Sequence, residues 1–175
     1  PSYLYAVKTA YASRETMSAE GEFKTLVKEL HKAGIECIPE MYFTGKELPG
    51  EILSVLRYWV EEYHVDGFHL TGFPDLSLAA EDPFLKRTKL FEESWNDIMN
   101  RRPKQGYVTP GDGAVSVEEK NLAEYNMQFM EDMRRFLKGD EGMLSAFELR
   151  NRRNPMEYAV INYMANTNGF TLMDT

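Results

Sequence analysis

With 175 residues the chain has room for one domain of ordinary size, and 43% hydrophobic and 13% aromatic residues supply a core and exclude global disorder. Lys plus Arg number 20 against 28 Asp plus Glu, a formal net charge of −8. That field opposes phosphate, so nucleic acid and anionic membrane are excluded as partners and a neutral ligand is not.

Cys37 stands alone, which rules out an intrachain disulfide or a cysteine-built zinc site and fits a reducing, cytoplasmic setting. No apolar run reaches the roughly 18 residues of a membrane span, and no signal-peptide pattern opens the chain. The sequence starts at Pro1 rather than Met, inside a β-rich stretch, so a segment of a longer protein is expected.

In chain order, Tyr3 to Val7 reads as a strand and residues 12–15 as a polar loop. Ser18 is placed as an N-cap, Glu20 and Glu22 fall in the first turn of a helix, and Phe23, Leu26, Val27 and Leu30 follow at i, i+3, i+4 and i+7. Gly34 ends that helix, and Ile35 to Phe43 reads as a buried strand interrupted by Pro39. A second helix from about Glu51 carries the stripe Ile52, Leu56, Trp59, Val60 and Tyr63, a core face. Val65 to Phe73 is the next strand, Asp82-Pro83 breaks the chain, and Lys89 to Trp95 is a short third strand. Arg101 to Gly113 reads as a loop with a short strand at Gly106 to Thr109. A third helix is expected over Asn121 to Lys138, ended by Gly139, and a last strand over Tyr158 to Ala165. The alternation of strand and helix predicts an α/β fold of parallel strands covered by helices. Sites in such folds sit at strand C-terminal ends, here Phe43–Gly45, Thr71–Pro74, Glu93–Trp95 and Asn166–Gly169.

Those strand ends and the segments leading to them carry a resemblance. Residues 22–36, residues 56–68, residues 122–126 with 134–140, and Ile161-Asn162-Tyr163 with residues 169–172 and Asp174 resemble, in order, the signature regions of the α-amylase family of glycoside hydrolases. The third block is similar to the glycogen-debranching, isoamylase and pullulanase branch in particular. The resemblance implies a partial (β/α)₈ TIM barrel, roughly strands two to seven, with residues 1–175 a single domain cut from a catalytic barrel. A full barrel needs about 250 residues, so open sheet edges are expected, covered by self-association or by another chain.

Cleavage with retention requires one carboxylate as nucleophile and a second carboxyl group as acid and then base. After Asp66-Gly67-Phe68 the family has Arg, an apolar residue and the nucleophilic Asp, where this chain has His69, Leu70 and Thr71. Glu93 falls at the acid/base position, with Trp95 also matching. The family's His and Asp before Gly169 are Thr167 and Asn168 here, and the Asp, Asn and His of its first signature strand are Glu40, Thr44 and Gly45. Because that Asn binds calcium in some members, its replacement argues against a metal. Thr71 and Asn168 are therefore degenerate catalytic positions, Glu93 is a residual acid/base position inactive alone, and Glu40, His69, Trp95 and Thr167 are the candidates for contacting sugar.

Several of these residues have plainer readings beside the functional one. Glu40 and His69 either form a substitute ion pair or are two unrelated polar side chains. Trp95 either stacks on a sugar or is buried. His31 and His64 read as solvated helix residues, Glu61-Glu62 and Glu118-Glu119 as solvated faces, and nothing in the spacing of Asp75, Glu92 or Asp97 favours a displaced nucleophile. The expected function is a non-catalytic debranching-enzyme-like domain that binds α-glucan or maltooligosaccharide, or supports an active debranching partner, as inactive isoamylase paralogues do. It needs no cofactor. An active hydrolase with an unrecognised nucleophile and a structural remnant of a larger carbohydrate-active protein are the alternatives.

Overall fold

A computed structural model describes residues 2–13, 18–93, 95, 121–155 and 158–165. It divides into two compact units, Pro1–Leu90 and Phe91–Thr175.

In the first unit the opening residues are not a strand. Ser2–Tyr5 forms a 3₁₀ turn. Its aromatic and apolar groups pack on a helix instead of joining a ladder: Leu4 is buried, its carbonyl accepts the Trp59 indole N–H at 2.7 Å, and Tyr5 meets Tyr58 edge-on at 5.1 Å. β-propensity here reported apolar content rather than backbone conformation.

Helix α1 spans Ala19–Lys32 and begins where expected, with the Ser18 hydroxyl accepting from Gly21 N–H at 3.1 Å. Val27 is its buried anchor and Phe23 sits edge-on to Trp59 and Tyr63, at 5.6 and 5.3 Å. Leu26, predicted on the same face, is exposed. Strand β1 is short, Glu40–Phe43, because Pro39 has no N–H to give a ladder. The extended residues before it are tied down differently: the Asp66 carboxylate accepts from Cys37 N–H at 2.7 Å and from His31 at 2.8 Å. His31 is thus a tether to the strand end rather than a purely solvated residue.

Helix α2, Pro49–Tyr63, starts with Pro at its first position, and the Glu51 carboxylate takes the Leu48 N–H at 2.8 Å. It buries Ile52, Val55, Leu56, Trp59 and Tyr63, so Val55 replaces the predicted Val60 in the stripe. Strand β2, Gly67–Gly72, returns parallel to β1, pairing Glu40 with His69 and Tyr42 with Thr71. The alternation puts Met41, Phe43, Phe68 and Leu70 in the core and Glu40, Tyr42, His69 and Thr71 on the opposite face. The start of β3, Lys89–Glu92, follows β2, with Lys89 N–H donating to Asp66 O at 3.0 Å.

Between β2 and β3, Asp82 does more than interrupt the chain. It is buried, accepts from Phe84 and Leu85 N–H at 3.1 Å each, and receives the Arg57 guanidinium. The Arg57 hydrogen bond, then the backbone donors, hold its carboxyl below the ordinary Asp value of 3.8, against burial. A depressed native pKa adds stability that is complete above the unfolded-state value and drains as pH falls through the window beneath it. Replacing Asp82 with Asn is therefore expected to lower stability at pH 7 and to flatten its fall below about pH 4. Urea titrations from pH 2 to 7 showing parallel curves for the two proteins would contradict this.

In the second unit, β4 (Leu122–Tyr125) and β5 (Ala159–Ile161) are parallel, with Ala123 opposite Ala159. The expected helix from Asn121 is corrected here: its first turn is strand, and helix α3 runs over Met127–Lys138. Asn126 makes the switch. Its side-chain oxygen caps Phe129 N–H at 3.1 Å, its amide donates to Asn162 at 2.9 Å, and its backbone N–H donates to Ile161 O at 3.0 Å. Helix α4, Met143–Asn151, has no counterpart in the sequence reading and packs on α3 through stacked Phe136 and Phe147, 5.1 Å apart. The end of β3 and Trp95 also belong to this unit, so the predicted strand to Trp95 stops at Glu92. The predicted last strand shortens to β5, and the expected strand at Gly106 to Thr109 lies outside the described residues.

Candidate functional site

The β1–β2 face of the first unit brings together three residues that the sequence placed at strand ends or signature positions, Glu40, His69 and Thr71, and a fourth, Tyr42, that it did not single out. The Glu40 carboxylate lies 3.2 Å from His69 Nδ1, the two being direct neighbours across the parallel pair. Thr71 follows two residues on, half-buried, and its hydroxyl donates a long hydrogen bond, 3.4 Å, to Met41 O. Tyr42, opposite Thr71, projects to solvent.

The loop after β1 is built around a residue that no signature singled out. Glu47 is buried and its carboxylate accepts from Thr44 N–H (3.0 Å), the Thr44 hydroxyl (2.9 Å) and Gly45 N–H (3.1 Å). Burial alone would raise its pKa, but its own backbone N–H first, and then these donors, hold it below the ordinary carboxylate value. Thr44 and Gly45, which the sequence reading set against the family's Asn and His, are therefore engaged in closing their own loop. The signal in the sequence is faint: an acidic residue three positions after a Thr.

Two candidate positions fall in the second unit. Glu93 follows β3 and is half-buried. Trp95 is fully buried, 0% exposed, and its indole N–H donates to Ala123 O at 3.0 Å. Thr167 and Asn168 lie outside the described residues. Of the residues weighed as a displaced nucleophile, Glu92 is buried, Asp75 is exposed with its carboxylate accepting from Ser77 N–H at 3.1 Å, and Asp97 is not among the described residues. Cys37 carries a thiol whose pKa is raised, by burial first and by the Asp66 charge second, which suppresses the thiolate a nucleophile needs.

Among the described residues no group of three or more His, Cys, Asp and Glu side chains is arranged to hold a metal ion, and no helix is long and apolar enough to cross a membrane. A separate cavity of about 380 Å³ in the first unit is lined chiefly by apolar groups, among them Phe23, Leu26, Pro39 and Trp59, with Lys8 and Glu22 also on its wall.

Parallel strands joined through helices, with a helix between β1 and β2 and two between β4 and β5, define an α/β protein of the (β/α)-barrel type. Sequence comparison sharpens that class. No family model matches the chain. It is 28% identical over 252 residues to isoamylase 3, chloroplastic, of Oryza sativa subsp. japonica, covering 98% of this chain and 30% of that protein. It is also 28% identical over 236 residues to a glycogen debranching enzyme of Serratia proteamaculans, covering 97% and 34%. Isoamylase 2, chloroplastic, of Arabidopsis thaliana is 26% identical over 233 residues, covering 99% and 25%. The chain is a relative of the isoamylase and glycogen-debranching branch of the α-amylase family. It spans about a third of the length of these relatives or less, and each alignment runs longer than the 175 residues of the chain, so each relative carries intervening segments that this chain lacks.

Proposed function

We propose that this debranching-enzyme-like domain is non-catalytic and binds α-glucan through the face that carries Glu40 and His69, alone or beside an active debranching partner. The observation that supports this most is the state of Thr71. It occupies the position where the family keeps its nucleophilic Asp, and its hydroxyl is directed to Met41 O, with no carboxylate or imidazole among the described residues hydrogen-bonded to it to act as a base. Glu40 is a carboxylate on the same face, but it is matched with His69 rather than left to attack. Without a carboxylate facing the anomeric carbon, Glu93 as acid/base has no covalent intermediate to form or release. Glu40, half-exposed and held by His69, still offers an acceptor to sugar hydroxyls.

The test uses the intact chain with glycogen or pullulan, followed by reducing-end release, and with maltoheptaose, followed by calorimetry. We expect no reducing ends above buffer and a saturable heat. Release of reducing ends that disappears on Glu93→Gln substitution would establish hydrolysis and overturn the non-catalytic reading. Absence of any heat would overturn glucan binding.

A further inference from the structure

The ends of β1 and β2 carry two aromatic rings that the core does not use. Tyr42 is 60% exposed and Phe73 75% exposed, although both flank strands whose other face is closed. Their positions depend on two glycines. Gly72 has φ +88°, and a Cβ there would fall 2.1 Å from Phe43 O and 2.8 Å from the Tyr42 ring, so the ring lies across bare backbone. Gly45 has φ +82°, and a Cβ there would come within 3.0 Å of Phe73 Cβ. Only a residue without Cβ allows both the turn and the close approach of each aromatic residue. The rings are thus seated by the backbone yet open to water.

We propose that Tyr42 and Phe73 form a stacking platform for the pyranose rings of a neutral oligosaccharide, with the half-exposed Glu40 carboxylate, held by His69, accepting hydrogen bonds beside it. This rests on the glucan-binding reading above and names the residues that carry it. A sugar ring presents an apolar C–H face and a rim of hydroxyls, so its recognition takes an aromatic surface with polar groups at the edge. Glu40 lies two residues from Tyr42 on the same strand face, half-exposed and 3.2 Å from His69 Nδ1. The ligand's neutrality fits the charge: at −8 the chain repels phosphorylated or acidic saccharides and leaves an uncharged glucan unopposed. The platform flanks Thr71, with Tyr42 directly opposite it across the parallel pair and Phe73 two residues beyond it.

The experiment is calorimetry of the full chain with maltoheptaose, comparing wild type with Tyr42→Ala, Phe73→Ala and the rescue variants Tyr42→Phe and Phe73→Tyr. Each Ala variant is expected to weaken binding roughly five- to tenfold, and the aromatic exchanges to restore it. Thermal melts should be unchanged, because neither ring is in the core. Wild-type affinity in both Ala variants would overturn the platform while leaving glucan binding intact. No heat with the wild-type chain would overturn the binding reading and the platform with it. A dimer by light scattering that dissociates on Tyr42→Ala, with maltoheptaose affinity unaffected, would show that the rings serve a second copy of the chain and would also overturn the proposal.

Discussion

Replacing Trp95 with Ala is expected to destabilise the protein by about 3–5 kcal/mol, the range for emptying a fully buried Trp site. The loss has two parts. Truncation leaves a cavity that the neighbouring backbone cannot fill, and it strips the Ala123 carbonyl of the indole donor at 3.0 Å. Trp95→Phe separates them, keeping most of the apolar volume and losing the hydrogen bond, at a cost of roughly 1–3 kcal/mol. Urea denaturation of the three proteins measures both parts. The result also bears on function, because the sequence reading left stacking on sugar as the other role open to Trp95. A Trp95→Ala protein with wild-type stability and lost maltoheptaose binding would reverse the assignment. In the structure the ring is a strut for β4, and the exposed aromatics at Tyr42 and Phe73 are the ones placed to meet a ligand.

Much of the first unit was legible because its signals are local. Ser18, the 3–4 spacing of α1 and α2, and the apolar run into β2 each act within a few residues, and each formed the element expected. The second unit defeated the same method at Leu122–Tyr125. Leu122, Tyr125 and Phe129 continue a helical spacing, and Ala123 and Glu124 are good helix formers, yet the parallel partner β5 and the Trp95 indole hold these residues extended. Non-local pairing overrode periodicity, and Asn126 marks the change of period only once its hydrogen bonds to Phe129, Ile161 and Asn162 are seen. At the site, motif position left a Glu40–His69 pair as one of two open readings, and the 3.2 Å contact between neighbouring strands decides for it. Tyr42, Phe73 and Glu47 were not legible. Exposure of a strand residue depends on what covers the sheet, and a loop carboxylate is recognised only by the donors that converge on it.

The same non-local logic governs Arg153, whose replacement by Met is expected to cost about 3–5 kcal/mol. Its two terminal nitrogens grip both oxygens of Glu124, 29 residues earlier on β4, and one of them also donates to the Tyr158 hydroxyl at 2.9 Å. Burial opposes the guanidinium charge, but the hydrogen bond and charge of Glu124 outweigh it and raise the Arg153 pKa. The Tyr158 phenol is raised as well, by burial first and by the Glu124 charge second. With its side chain only 5% exposed, Glu124 has no water to replace a lost partner, so the Met variant strands a carboxylate beside β5. The exposed Lys24–Glu62 pair gives the contrast, since water replaces either partner and Lys24→Met should cost less than about 1 kcal/mol. A double-mutant cycle isolates the cause: adding Glu124→Gln to Arg153→Met removes the stranded charge and should recover most of the loss. Hydrogen exchange should localise the damage to the amides of β4 and β5, which hold the Asn126–Asn162 contact together. If Arg153→Met costs no more than Lys24→Met, Glu124 is hydrated despite its burial and this fork does not anchor the strand that leads into Asn126.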